Sequence, residues 1–212
     1  MKRAVVFSGG SIGDYVNVLS YVRDDDFVVC ADSGVYHCLK LGINVDLLVG
    51  DFDSTDFETA CTHDLIKNSE VLKLNSMKDD TDTEHAIDVV LNRGYNEILV
   101  FAAVGTRLDH TISNIFLLEK YLDKNANITI ISDNNIIHVL KNSSVTINKS
   151  IMKYVSVLPL DDVTVSNRGF LYPLTNELMH RSSSRGISNE LTSDTGCITV
   201  ENGCALVIES KD

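Results

Sequence analysis

Over the first 134 residues, short runs of β-branched residues alternate with helix-spaced segments, and this alternation constrains the fold more than any other feature. Residues 3–7, 27–31, 46–49, 70–74, 97–103 and 128–132 read as strands rich in Val and Ile. Between them, 35–41 is helix-like and is closed by Gly42, a C′ glycine. The 83–93 segment puts Ala86, Ile87, Val90 and Leu91 on one face and is closed by Gly94. A third helix over 111–123 is expected to bury Ile112, Ile115, Phe116, Tyr121 and Leu122. Near-continuous apolar strands that alternate with helices imply a parallel sheet covered by helices.

Beyond about residue 135 no long helical period remains. Residues 143–148 and 154–158 carry clustered β-formers, and 198–200 and 205–208 flank Asn202-Gly203. That dipeptide favours the positive φ of a tight hairpin turn. The expected fold is therefore α/β, a parallel sheet with flanking helices over 1–134, followed by a smaller all-β, sandwich-like domain over 135–212. Residues 178–185, with Ser182-Ser183-Ser184, are expected to form a mobile loop.

Thirty acidic residues against eighteen basic ones leave a net charge of −12. Affinity for nucleic acid rests on neutralising phosphates, so this balance argues against it, and against an anionic membrane surface. No apolar run approaches the roughly 20 residues of a spanning helix. The start, Met1-Lys2-Arg3 and four apolar residues stopped by Ser8-Gly9-Gly10, reads as a strand entering a glycine turn rather than a signal peptide. Five cysteines (Cys30, Cys38, Cys61, Cys197, Cys204) without a CxxC pair suit buried thiols in a reducing compartment. A cytoplasmic protein is expected.

The acidic residues are more informative by position than by number. Asp32 directly follows the 27–31 strand, and Asp51 and Asp53 follow 46–49 after a glycine. Asp79, Asp80 and Asp82 come shortly after 70–74, and Gly105, Arg107 and Asp109 after 97–103. In an open parallel sheet all strand C-termini share one edge, where ligands bind, so four segments converge there. Gathered carboxylates repel unless a cation sits between them. Mg²⁺ takes one or two carboxylates and completes its shell with substrate phosphates and water. Asp51-Phe52-Asp53 suits this if extended, because alternate side chains share a face. Alone, it reads more simply as a polar turn ahead of a helix.

Three further features keep two readings each. Thr81 and Glu84 have capping-box spacing, and acids in a first turn are stabilised by the helix dipole. That explains most of 79–84, though not the number of carboxylates beside Lys78. Gly9 and Gly10, in Ser8-Gly9-Gly10-Ser11-Ile12-Gly13, could offer backbone N–H groups to a phosphate. The third glycine of a dinucleotide fingerprint and the Gly-Lys-Ser/Thr of a P-loop are missing, and a simple turn serves equally. Arg107 could grip phosphate oxygens bidentately or pair with Asp109. His110, at a helix start, is expected to be a structural donor behind the site, and Cys30 a core residue.

Five segments occur together in order: Ala31-Asp32-Ser33-Gly34, Leu48-Val49-Gly50-Asp51-Phe52-Asp53-Ser54, Lys78-Asp79-Asp80-Thr81-Asp82, Gly105-Thr106-Arg107-Leu108-Asp109-His110, and the run from Ser184 through Gly186-Ile187-Ser188-Asn189 to Thr192. Over almost its whole length the chain resembles the thiamine pyrophosphokinases. The resemblance implies an α/β catalytic domain, a β-sandwich that helps bind thiamine, and a homodimer with active sites between subunits. It also implies Mg²⁺ and ATP as requirements, attack of the thiamine hydroxyl on the β-phosphorus, and thiamine diphosphate and AMP as products. Position by position, Asp51, Asp53 and Asp82 resemble the metal ligands. Asp32, Lys78, Thr81, Arg107 and Asp109 resemble the groups around the phosphates and the reacting alcohol; Gly105 stands in one of the matching segments and is expected to contact the nucleotide, as are Gly9 and Gly10 from the glycine turn after the first strand. Ser188 and Asn189 resemble the thiamine-contacting edge. Asp82 and Asp109 are alternatives for taking or orienting the hydroxyl proton. Ser33 and Thr106 stand where the family usually has glycine, and without tryptophan any ring stacked on thiamine is Tyr172, Phe170 or another aromatic. The rivals are a metal-dependent phosphohydrolase and a non-catalytic nucleotide- or thiamine-binding dimer.

Overall fold

Ala4, Val5, Val6 and Phe7 have no exposed surface, a pattern that only a central strand covered on both faces produces. In the computed structural model, which describes residues 2–52, 62–75 and 80–212, they form β1 (Arg3–Phe7). It pairs in parallel with β2 (Phe27–Ala31) on one side and β5 (Glu97–Phe101) on the other. β3 (Leu47–Gly50) and β4 (Glu70–Lys73) extend the β2 side, and β6 (Asn127–Ile131) the β5 side, again in parallel. The strand order is β4-β3-β2-β1-β5-β6. These strands belong to a first unit, residues 1–117 and 123–133; residues 118–122 and 134–212 form a second.

The helices obey local rules. α1 (Tyr15–Tyr21) is capped by Asp14, whose carboxylate accepts the Asn17 N–H at 3.0 Å. α2 (Val35–Leu41) ends at Gly42 with φ 72°, the left-handed cap that a glycine adopts freely. α3 (Asp82–Asn92) starts at Thr81, whose hydroxyl accepts the Glu84 N–H at 3.2 Å, as the capping spacing predicts. α4 (Leu108–Lys120) begins three residues earlier than expected and turns a different face inward. Asn114, Leu117, Leu118 and Tyr121 are buried, whereas Ile112 and Phe116 are each about half exposed. The correction has a simple cause. With Asn114 on the inward face, the i, i+3 and i+7 positions are 114, 117 and 121, and 112 and 116 fall elsewhere on the helix.

A buried ion pair latches the strand N-termini. Arg3 donates from Nε and Nη2 to the two carboxylate oxygens of Asp26 at 2.7 Å each, and from Nη2 to the Tyr21 carbonyl at 2.8 Å. The Arg23 N–H reaches the same carboxylate at 2.7 Å. The turn from α1 into β2 is thereby fixed to the start of β1. These bonds to Asp26 raise the Arg3 pKa above its ordinary value.

The second unit is antiparallel. β7 (Asn135–Asn148) and β12 (Thr195–Ser210) pair along nearly their whole lengths. β8 (Tyr154–Pro159) pairs with residues 205–210 of β12, and β9 (Val163–Arg168) with residues 197–201. β10 (Leu174–Met179) adds to β9, and β11 (Asn189–Glu190) to β8. One bent sheet with two arms on β12 thus replaces the expected pair of sheets, and over the whole chain the strands are mixed rather than parallel. The arms share a core that includes Val157, Val163, Val165, Phe170, Val200 and Val207.

Asn202-Gly203 makes a bulge inside β12, not a hairpin turn. Glu201, Asn202 and Gly203 lie between the paired Val200 and Cys204, opposite Asn142 alone. Asn202 and Asn142 both have positive φ, 63° and 46°, and the Gly203 N–H donates to Asn142 Oδ1 at 3.2 Å. The dipeptide supplies the expected φ, but its partner on β7 converts it into a bend. Leu178, expected in a loop, lies in β10. Cys30, Cys38 and Cys204 are buried free thiols and Cys197 is half-buried; Cys61 lies outside the described residues. Among the described residues, no helix is long and apolar enough to cross a membrane.

Breaking the Arg3 latch strands a buried cation. Asp26→Ala is expected to lower unfolding stability by about 3–5 kcal/mol, measured by urea denaturation. A loss under about 1 kcal/mol would show that the pair is dispensable.

Candidate active site

The chain leaves β1 toward the β2 side and later returns to pair β5 against the opposite edge of β1. The C-terminal ends of β1 and β5 therefore flank a topological switch point, where open parallel sheets bind ligands. A cleft of about 360 Å³ opens there, within the size range of small-molecule pockets. Its walls are residues 8–11 after β1, Asp32 and Ser33 after β2, Thr81, Asp82 and Thr83 at the start of α3, and Gly105, Thr106 and Arg107 ahead of α4.

The backbone at these strand ends adopts unusual conformations. Asp32, Phe52 and Ala102 have φ of 47°, 58° and 54°, left-handed values that residues with a Cβ adopt at a cost of about 1–3 kcal/mol. All three follow strand C-termini. The Ala102 carbonyl accepts the Gly10 N–H at 2.8 Å, and the Phe101 carbonyl accepts the Ser8 N–H at 2.9 Å. A Cβ on Gly10 would collide with the Ala102 oxygen, so this approach demands glycine. The Gly10 N–H is thus engaged inside the protein, which corrects the expectation that it meets a phosphate. The Ser33 hydroxyl occupies the room that a Cβ on Gly9 would need.

The structure gathers Gly9, Gly10, Asp32, Thr81, Asp82, Gly105 and Arg107 around the cleft. Asp51 follows β3 directly and is half-buried, but does not form part of these walls. Asp53 and Lys78 lie outside the described residues. Among the described residues, no three His, Cys, Asp or Glu side chains come together as a ready-made metal site. Arg107 is paired with Asp109, Nη2 to Oδ2 at 2.6 Å and Nε to Oδ1 at 3.3 Å. The bonds from Arg107 hold the Asp109 carboxyl below the usual carboxylate range. Of the two readings of Arg107, the ion pair is what the geometry has, yet both side chains remain about two-thirds exposed, at 69% and 65%. His110 lies on the wall of the cleft and is exposed, not behind it.

Several supporting residues escaped the sequence reading. Buried Asn114 donates from Nδ2 to the Ala103 carbonyl at 2.8 Å, and the Thr111 hydroxyl accepts the Gly105 N–H at 3.1 Å. Their signal was available: two polar residues three apart on a helix that otherwise turns apolar residues inward. Ala102 carries no sequence signal, because nothing in an alanine announces a positive φ.

In the second unit Asn189 is buried and uses its amide on backbone. Oδ1 accepts the Tyr172 and Glu190 N–H groups at 3.0 Å each, and Nδ2 donates to the Tyr172 carbonyl at 2.7 Å. Asn167 Oδ1 accepts the Leu174 N–H at 3.0 Å, which braces the same segment. Ser188 has φ 58°, and its N–H donates to Ser156 Oγ at 3.0 Å. Tyr172 is 65% exposed, whereas Phe170 is 5% exposed and belongs to the core. A cavity of about 430 Å³ is lined by Tyr172, Pro173, Ile187 and Asn189 among others.

Comparison with known proteins agrees with this arrangement. The family model for the thiamin pyrophosphokinase catalytic domain matches residues 18–130, and that for the thiamin pyrophosphokinase vitamin B1 binding domain matches residues 134–205. A thiamine pyrophosphokinase of Bacillus subtilis is 30% identical over the full length of both chains. A crystal structure of thiamine pyrophosphokinase from Bacillus subtilis superimposes with a TM-score of 0.90 at 29% identity, covering 100% of each chain. One from Geobacillus thermodenitrificans gives 0.86 at 31% identity, covering 100% of this chain and 98% of the other. The likeness to the Candida albicans protein, TM-score 0.83 at 19% identity over 99% of this chain and 89% of that one, shows the shared fold. With both family models in chain order and a full-length relative, the chain belongs to the thiamin pyrophosphokinase family.

Proposed function

We propose that this chain, as a thiamine pyrophosphokinase, transfers the diphosphoryl group of ATP to the hydroxyl of thiamine and releases AMP. The observation that carries the reading is the cleft at the β1–β5 switch point, where a helix N-terminus, carboxylates and Arg107 converge in a member of this family. Residues 1–134 serve as the catalytic domain and 135–212 as the thiamine-binding domain.

Transfer of this kind asks for positioning and charge neutralisation more than for covalent help. The first-turn N–H groups of α3 offer partial positive charge to phosphate oxygens. Arg107 is suited to exchange Asp109 for a phosphate, because an ion pair exposed to solvent contributes little to stability. The carboxylates of Asp82 and Asp32 line the cleft, and one or two carboxylates beside substrate phosphates are the oxygen donors that Mg²⁺ takes; Asp51 follows β3 outside these walls. Mg²⁺, when bound, neutralises charge on the transferring group. Asp53 as a further ligand and Lys78 as a phosphate contact rest on the family resemblance alone. Of the two candidates for orienting the thiamine hydroxyl, Asp82 lines the cleft and Asp109 does not, which favours Asp82.

Tyr172, held out by the Asn189 and Asn167 amides, is the aromatic suited to stack on thiamine. Leu108, Ile112 and Phe116 are 69%, 49% and 48% exposed at four-residue spacing on α4, an apolar stripe suited to a second copy of this chain. It begins one residue after Arg107, so a homodimer docked there would border the cleft. The Cys30 and Cys38 sulfurs stand 3.2 Å apart as free thiols, which suits a reducing cytoplasm.

The deciding assay follows AMP and phosphate products from ATP and Mg²⁺ with and without thiamine. AMP and thiamine diphosphate are expected one for one, and only with thiamine. Phosphate release regardless of thiamine would point to a hydrolase, and thiamine-stabilised melting without turnover to a binding dimer. Asp82→Asn is expected to cut turnover by about 10²-fold or more with an unchanged circular dichroism spectrum; normal turnover would remove Asp82 from the reaction. Saturating ATP is expected to draw Arg107 off Asp109, so the Asp109 carboxyl, now held low, titrates at higher pH. Carbon NMR of that carboxyl checks this, and an unmoved titration would mean the pair stays closed.

A further inference from the structure

Five backbone groups between Ser8 and Asp14 are tied to other parts of the first unit. Two are the Ser8 and Gly10 N–H groups on the Phe101 and Ala102 carbonyls at the end of β5, and two are the Gly13 and Asp14 N–H groups on the Asp133 carboxylate at 2.7 and 2.9 Å. The fifth is the Gly10 carbonyl, which lies 2.9 Å from His37 Nε2. His37 sits on α2 and forms no part of the cleft wall. A carbonyl only accepts, so Nε2 carries the proton, and Nδ1 is then free to accept the Tyr15 hydroxyl at 2.8 Å. Burial and the nearby Lys40 hold the His37 pKa below its ordinary value, consistent with this neutral tautomer. Lys40 Nζ lies 4.1 Å from the centre of the Tyr15 ring and braces it as a cation on an aromatic face.

The Gly10 carbonyl and the Ser11 N–H belong to one planar trans peptide group, so the two point in opposite directions. A hydrogen bond that draws the carbonyl toward His37 aims the Ser11 N–H away from it. Ser11 is on the cleft wall. We infer that His37 is a positioning residue for the nucleotide: through the Gly10 carbonyl it orients the Ser11 N–H as a donor to a phosphate group in the cleft. The inference rests on the reading that this cleft takes the phosphates of ATP. Gly10 cannot supply the donor itself, since its own N–H is held by Ala102.

The test compares the wild type with His37→Ala, His37→Gln and Tyr15→Phe, using calorimetric titration with Mg·ATP alone and steady-state kinetics with thiamine. His37→Ala is expected to raise Kd and KM for ATP by about tenfold while KM for thiamine stays within about twofold. Gln can still donate to a carbonyl, so His37→Gln is expected to recover most of the loss. Tyr15→Phe, which frees only Nδ1, should fall between, and it decides the matter if His37→Ala does not fold. A lowered melting temperature and kcat with unchanged ATP affinity would overturn the assignment, as would a His37→Gln variant no better than His37→Ala. If the wild type binds Mg·ATP but transfers nothing to thiamine, the proposed activity fails while the affinity comparison still judges His37. If it binds no Mg·ATP, the assignment falls as well.

Discussion

The site depends on the level at which three strands stop. Phe7 of β1 is paired with Cys30 of β2 and with Phe101 of β5, so Ser8 and Ala102 leave the sheet level with Ala31, the last residue of β2. Packing fixes this register. The Phe7 and Phe101 rings are both fully buried and stack with centroids 5.4 Å apart, and burial of such a ring contributes roughly 1.5–3 kcal/mol. A slip of one residue would turn every side chain of the strand to the opposite face. It would also pull the Gly10 N–H off the Ala102 carbonyl, and with it the loop that carries Ser11. Function at the edge is thus inherited from apolar contacts within the sheet.

Charge is divided between the two ends of that sheet. At the strand N-termini the Arg3–Asp26 pair is buried and four-fold hydrogen-bonded, a purely structural use. At the C-termini the Arg107–Asp109 pair is exposed and sits beside the cleft. A chain of net charge −12 would repel a nucleotide carrying several negative charges. Binding there needs local positive charge, and among the described residues the α3 N-terminus, Arg107 and oriented backbone N–H groups can supply it, together with a divalent cation.

What could be read in the sequence was governed by local rules. The 3–7 and 27–31 strands, the Gly42 cap and the Thr81 cap each follow from a few neighbouring residues, and the structure has them at those positions. The convergence of Asp32, Asp82, Gly105 and Arg107 followed from topology, because parallel strands must end on one edge. What escaped depended on partners far along the chain. Asn202-Gly203 bends β12 instead of reversing it because Asn142 stands opposite. The inward face of α4 was misassigned because an apolar count discards Asn114, whose buried amide is satisfied by the Ala103 carbonyl. Gly10 looked like a phosphate donor until the left-handed turn at Ala102 placed an acceptor against it. Asn189, which by resemblance edges the thiamine site, lines a cavity of the second unit, and its bracing of the Tyr172 backbone with both ends of its amide depends on a partner that a local reading does not supply.

These features separate into a fixed part and an exchangeable part. The left-handed turns at Asp32 and Ala102 follow strands that are buried, so packing in the sheet sets where they stand. The Ala102 carbonyl in turn fixes the Gly10 N–H and the loop that carries Ser11, and a loop fixed in this way reduces the ordering cost of binding. Arg107 and Asp109 are the opposite case. Their pair is solvated and contributes little to stability, so replacing one carboxylate with a phosphate on the same guanidinium disturbs nothing in the core. Rigid backbone from the sheet and a loosely held charge pair at its rim meet both demands of diphosphoryl transfer: a pre-set geometry for the phosphates and a cation that can follow them.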